Sequence, residues 1–241
     1  MTRPLPRQPA LLAAALGGAL MAVGAADAAA AAGQARLGCV KAERVLFLGN
    51  SITLHGPAEQ IGWSGNWGMA ASSAEKDYVH LLLQLLSEAA GRKPEAMIRN
   101  IADFERGYRT YDPGSALKKE LDFGADLAIV AIGENVPALA SEEAKQTFKN
   151  SVSNLLATLK KSGPSAIFAR SCFWPDNAKD DAMRQACQEA GATFVDISGL
   201  SRDESHYARS ERRFAHAGVA AHPGDKGMKA IADALWKAMN Q

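Results

Sequence analysis

The stretch Val45–Leu54, VLFLGNSITL, runs from an apolar segment suited to a buried strand directly into Gly49-Asn50-Ser51. A strand with no polar alternation needs cover on both faces, the signature of a parallel sheet between layers of helices. Asn-Ser is ordinary turn and helix-capping chemistry. A small hydroxyl at the tip of the most hydrophobic strand therefore acquires meaning only from what surrounds it.

Outward from this strand the pattern alternates. Short apolar or β-branched runs recur at Ala96 to Ile101, Leu127 to Ile132, Ala166 to Ala169 and Thr193 to Ile197. Between them lie stripes of helical period. Ala74 to Ala90 carries Val79, Leu82, Leu83 and Leu86; Glu142 to Lys161 carries Phe148, Val152, Leu155, Leu156 and Leu159 and stops at Gly163-Pro164. Two more run from Ala178 to Ala190 and from Asp225 to Met239, with Asp225 read as the cap of the last. The expected fold class is α/β, a three-layer sandwich around a parallel five-stranded sheet.

Two long connections interrupt the alternation, Thr53 to Ser73 and Leu200 to Ala221. Loops of this length in a compact domain are usually functional or disordered. In an open parallel sheet the ligand crevice lies beyond the carboxyl ends of the strands, so the loops after Gly49, Ile101, Ile132 and Ala169 should share one rim. Ser51 stands on it.

The chain begins with a segment that is not read as fold. Arg3 and Arg7 precede an apolar run rich in Ala, Leu and Gly from Ala10 to about Ala26, followed by Ala26-Asp27-Ala28. Charged start, apolar centre and small-residue exit are the parts of a secretory signal. The run is about 16 residues long, short for a membrane span. Residues 1–30 are expected to be a signal peptide and 31–241 a single domain, periplasmic or secreted, with no stable membrane anchor after cleavage. The formal net charge is +1, both signs are mixed along the chain and no basic block occurs, which argues against a nucleic-acid partner.

The cysteines are Cys39, Cys172 and Cys187. Cys172 and Cys187 both fall at core positions, so a disulfide between them and two buried free thiols are equally acceptable readings. Cys39 follows Leu37-Gly38 in the manner of a lipoprotein site, but Arg36 and the distance from the apolar run argue against that.

Acyl transfer to a serine needs a base for the hydroxyl proton and pre-aimed N–H donors for the tetrahedral oxyanion. Candidates stand on separate rim loops. Ser51 follows the first strand, Gly133-Glu134-Asn135 the third, and His222 opens HPGDKGM before the last helix. FLGNSIT, IGEN and HPGDKGM, in that order, resemble the blocks of the serine, glycine, asparagine, histidine hydrolases, the GDSL-like esterases, whose fold is a flavodoxin-like three-layer sandwich. The resemblance covers most of the chain after the leader. It implies Ser51 as nucleophile and, through its backbone N–H, one oxyanion donor; Asn135 as the side-chain oxyanion donor; and His222 as general base and later general acid. Gly49 is expected to let the backbone turn at the strand end.

Two positions depart from the family pattern. Where the second block has a glycine this chain reads NIADFERGYRTYD, leaving the backbone of Glu105 or Gly107 as the expected donor. Where an aspartate stands three residues before the histidine, this chain has Val219. Three arrangements are open: a dyad with the ring oriented by a backbone carbonyl, a carboxylate from elsewhere such as Asp203 or Glu204, or an inactive relative. The dyad is favoured.

His55, one turn beyond Ser51, is a rim residue or a rival base. His216 and His222 lack the further ligands of a metal site, and neither metal nor cofactor is expected. Trp63, Trp67 and Trp174 fall on rim loops, where flat rings would suit a sugar face; the alternative is a small core inside the loop. The expected activity is a serine esterase of EC 3.1.1 type, removing acetyl or another small acyl group from a small-molecule or polysaccharide ester. A lysophospholipase or thioesterase, or a non-catalytic carbohydrate-binding relative, are the alternatives.

Overall fold

A computed structural model describes residues 1–2 and 42–241 of the chain; the expected leader, its cleavage site and Cys39 lie outside the described residues. Five strands form one parallel sheet: β1 Arg44–Gly49, β2 Glu95–Asn100, β3 Leu127–Ala131, β4 Ala166–Arg170 and β5 Thr193–Val195, in the order β2-β1-β3-β4-β5. The order reverses between β1 and β3. This switch point is where an open α/β sheet leaves its crevice.

Alternation along β1 sorts side chains to two cores. Leu46 and Leu48 face one layer together with Phe148, Val152, Leu155 and Met183. Val45 and Phe47 face the other with Tyr78, Leu82, Ile231 and Leu235. The first layer holds α2 (Ala102–Gly107), α3 (Glu142–Lys161) and α4 (Asn177–Ala190); the second holds α1 (Tyr78–Ala90) and α5 (Asp225–Met239). Each fully buried leucine in these layers contributes about 1.5–3 kcal/mol of transfer free energy. Both faces of the sheet are thus covered, which explains why β1 and β3 show no polar alternation.

Helix starts follow side-chain chemistry. Asp77 accepts from the His80 amide at the head of α1, Ser141 from the Ala144 amide at α3, and Asp176 from the Lys179 amide at α4. Asp225 differs from the expected cap. It is the first residue inside α5, and its carboxylate accepts instead from Ser72 N (2.7 Å) and Ser72 Oγ (2.6 Å). Glu211 serves the helix head, accepting from Asp225 N and Lys226 N. Asp225 ties the long Thr53–Ser73 connection to the last helix, a use that local sequence chemistry does not announce.

Cys172 and Cys187 are buried free thiols, so the disulfide alternative is not adopted. Burial pushes the Cys187 thiol up to about 12 and the Cys172 thiol higher still. Among the described residues no helix is long and apolar enough to cross a membrane.

Candidate active site

The carboxyl end of β1 turns sharply. Thr53 N and Leu54 N both donate to Asn50 O, and Ile52 N donates to Asn50 Oδ1, so Asn50 closes the turn that carries Ser51. Gly49 is required by contact rather than by a left-handed backbone. A Cβ there would stand 1.9 Å from Thr53 Oγ1 and 2.9 Å from Ala131 O. The Thr53 hydroxyl that crowds it is itself held by Tyr78 Oη at 2.7 Å.

Ser51 Oγ lies 2.9 Å from His222 Nε2. The opposite ring nitrogen, Nδ1, lies 2.7 Å from Gly218 O. A carbonyl oxygen can only accept, so in the neutral ring Nδ1 carries the proton and Nε2 is free to accept the serine O–H. This is the arrangement a general base requires. The Trp174 ring meets the imidazole edge to face at 5.3 Å and supports it from the side.

A backbone carbonyl thus holds the ring, the geometry of the first of the three expected arrangements, and Val219 takes no part in it. That side chain is buried in a small apolar cluster with Ala58, Trp63, Met69, Ala70 and Ala208. The helical turn Ala217–Ala220 presents the Gly218 carbonyl in place of the missing carboxylate. Asp203 and Glu204 are exposed and spent elsewhere, Asp203 on the Ser205 amide and Glu204 on Arg209. His216 caps the same turn through Nδ1, and His55 Nδ1 lies 2.6 Å from Gly56 O. Ser51 pairs with neither of them.

Burial pulls the His222 pKa below the ordinary 6.5, opposed by the hydrogen bond to Gly218 and the charge of Glu134. Only a neutral imidazole can accept a serine proton, so any activity that uses His222 as base is expected to fall as pH drops through this lowered pKa. The acid limb of kcat/KM on an activated ester is expected to have its midpoint below 6.5, with a plateau above it. A midpoint at or above about 7 would contradict the burial of this ring.

Behind the serine runs a buried polar network. Glu134 accepts from Arg170 Nη1 (2.6 Å), Phe173 N (2.9 Å) and Asn50 Nδ2 (2.6 Å), tying the loops after β1, β3 and β4 together. Burial would raise the Glu134 pKa, yet the Arg170 guanidinium and these hydrogen bonds hold it below the usual carboxylate value. Arg170 and Glu134 side chains are 0% and 3% exposed. Removing one partner of such a pair costs about 3–5 kcal/mol, because it strands the other charge.

Glu105, 0% exposed, completes the network. Its carboxylate accepts from Asn50 Nδ2, Gly133 N, Asn135 N and Asn135 Nδ2, at 3.0, 2.6, 3.3 and 2.6 Å. Burial and the nearby Glu134 charge push its pKa up, while the side-chain donors of Asn50 and Asn135 and the Gly133 amide pull it down. Gly133 is needed for this approach. It sits at φ 122°, and a Cβ would stand 2.4 Å from Cys172 Sγ.

Ser51, Asn135 and His222 line one cleft of about 350 Å³, together with His55, Arg106 and His216 among others. That volume suits a small ligand. Neither Glu105 nor Gly107 lines it, which corrects the expected backbone donor at that block; Ala102 and Arg106 are the cleft residues of α2. Glu105 instead faces inward, where its carboxylate accepts from Asn50, Gly133 and Asn135. Trp63 and Trp67 are also corrected. They stack edge to face at 5.6 Å, their indole N–H groups donate to His55 O and Ala71 O, and neither lines the cleft. They are the small core of the long loop; Trp174, likewise expected to bind substrate, does not line the cleft either and instead packs against the His222 ring.

Sequence reading missed Arg170, Asn50 and the inward role of Glu134. A signal was present. Arg170 ends a buried strand and Glu134 follows the adjacent one, so opposite charges stand at the same end of neighbouring strands in a sheet covered on both faces. Such charges are tolerated only when paired.

No family model matches the chain, and no curated protein does. Solved structures do. A protein described as a GDSL-like lipase from Bacteroides uniformis is 15% identical over 84% of this chain and 97% of its own, with a TM-score of 0.51. An extracellular lipase from Streptomyces rimosus is 13% identical over 82% of this chain and 100% of its own, at 0.50. A family two carbohydrate esterase from Cellvibrio japonicus is 17% identical at 0.49; the match covers 82% of this chain and 61% of that longer one. With its five parallel strands and two helical layers, the chain has the fold of the GDSL-like hydrolases.

Proposed function

We propose that the protein is an exported serine esterase that removes acetyl or another small acyl group from a polar, carbohydrate-type alcohol. The observation that carries this reading is the 2.9 Å contact between Ser51 Oγ and a His222 ring whose other nitrogen is already committed to Gly218 O. Ser51 attacks the ester carbonyl as His222 Nε2 takes its proton. The carbonyl electrons move to the oxygen, where the Ser51 amide and the Asn135 side chain would donate. Collapse expels the alcohol, which takes the proton back from His222, and leaves an acyl-serine. Water gives a proton to the same ring and attacks the acyl-serine; collapse breaks the bond to Ser51 Oγ, which takes that proton back as the acid leaves.

The small-acyl preference is supported by the cleft itself. Its lining mixes polar side chains with four apolar ones, Ile61, Met69, Ala102 and Val219, and a tunnel for a long acyl chain would need more apolar cover. The carbohydrate preference does not rest on Trp63 and Trp67, which are occupied elsewhere. It rests on the polar side chains of the lining, Asn100, Arg106 and Asn135 among them, and on the expected export.

A fluorophosphonate probe is expected to label the wild type at Ser51 and to leave folded Ser51→Ala unlabelled. Among nitrophenyl esters, kcat/KM should fall from acetate to octanoate. Absence of labelling in a folded sample would favour a non-catalytic binding relative. Activity rising toward octanoate would favour a lysophospholipase or thioesterase.

A further inference from the structure

The cleft contains one permanently charged side chain. Arg106, an exposed residue of α2, is among the residues that line it with Ser51, Asn135 and His222, and no aspartate or glutamate is. Among the described residues no carboxylate pairs with its guanidinium. Asp103, three residues before it on α2, is exposed and within helical reach, but no ion pair forms. The two carboxylates behind the cleft, Glu105 and Glu134, are turned inward, and their oxygens are occupied by N–H donors. The remaining titratable groups of the lining are the imidazoles of His55, His216 and His222.

A guanidinium offers five N–H donors in a planar fork that fits a carboxylate bidentately. Left without a protein partner in a ligand-sized cleft, it is a recognition element for an anion on the ligand. We infer that the natural ester is anionic, carrying a carboxylate close to the bond that Ser51 cleaves, and that Arg106 binds it. The reaction assigned to this carboxylate-bearing substrate rests on the esterase reading above, whereas the binding of the anion does not.

The test compares matched esters. On the alcohol side, an O-acetylated methyl glucuronide is set against the O-acetylated methyl glucoside; on the acyl side, 4-nitrophenyl hemisuccinate against 4-nitrophenyl butanoate. A charge-assisted contact predicts that the wild type prefers the charged member of at least one pair by about 10- to 100-fold in kcat/KM. In Arg106→Gln that ratio should fall to near one, and in Arg106→Glu it should drop below one. The pair that responds tells which side of the ester bears the anion. A ratio near one in the wild type for both pairs, or a preference unchanged in Arg106→Gln, overturns the inference.

A binding arm separates this result from the hydrolase reading. Ser51→Ala, alone and combined with Arg106→Gln, is titrated with the acetylated glucuronide and glucoside, and with succinate and butyramide. Tighter binding of a charged ligand that is lost with Arg106, in a protein whose wild type hydrolyses nothing, would uphold the anion site and overturn the esterase reading. Hydrolysis with no charge preference in turnover or binding would do the reverse.

Discussion

His222→Ala is expected to lower kcat on an activated acetyl ester by about four to six orders of magnitude, and Ser51→Ala by a similar factor. The two atoms act as a unit. Without Nε2 the serine hydroxyl keeps its proton at neutral pH, and without the hydroxyl the base has nothing to activate. The double variant should therefore lose no more than either single one, since each change already disables the same step. The fold should survive. His222 is half-buried at the rim, and the backbone bonds that hold its segment, Ala208 N to His222 O and His222 N to Val219 O, do not involve the ring. Thermal midpoints of wild type and variants, measured with the rates, should agree within a few degrees. A loss below about tenfold in folded His222→Ala would assign the proton to another group. His55 would be the next residue to test, since it lines the same cleft.

Much of this site was legible in the chain because its parts obey local rules. The apolar run of β1, the helical stripes of α1, α3 and α5, and the position of Ser51 after the first strand follow from periodicity and from the geometry of a parallel sheet. The boundaries of α3 and α5 coincide with the expected Glu142–Lys161 and Asp225–Met239. What could not be read is decided by contacts across long sequence separation. Trp63 and Trp67 have the composition of a binding surface, and only the fold of their loop shows that they pack on each other. Asp225 has the composition of a cap, yet Ser72, 153 residues away, claims its carboxylate. Gly49 reads as a residue chosen for backbone freedom, whereas the reason it must be glycine is a threonine side chain pressed against it. Glu105 is the clearest case. Near the position of a motif glycine it was read for its backbone N–H, and in the folded chain its carboxylate is the hub of the wall behind the serine.

Glu105→Gln is expected to lower kcat by about 100-fold with little change in KM, through Asn135 rather than through substrate contact. The Asn135 amide has two hydrogens, and because a carboxylate only accepts, the 2.6 Å contact commits one of them to Glu105 Oε2. That contact fixes the plane of the amide, leaving the second hydrogen for the cleft that Asn135 lines with Ser51. A glutamine in place of Glu105 has nearly the same shape but turns an NH2 toward donors, so at least one buried N–H loses its acceptor, at a cost of about 1–3 kcal/mol in stability. The stability loss alone would not mark Glu105 as a positioning residue, and a double-mutant cycle supplies the distinction. Asn135→Ala should itself lower kcat by about two to three orders of magnitude. If Glu105 acts by aiming that amide, adding Glu105→Gln to Asn135→Ala should cost kcat almost nothing further, while the thermal midpoint still falls. If the carboxylate matters only as packing, Glu105→Gln should lower the thermal midpoint and leave kcat nearly unchanged in both backgrounds. Asn50 makes the outcome informative in either direction, because Glu105 also holds the residue that closes the Ser51 turn. A rate loss that persists in the Asn135→Ala background would locate the effect in the nucleophile's turn instead of in the oxyanion donor.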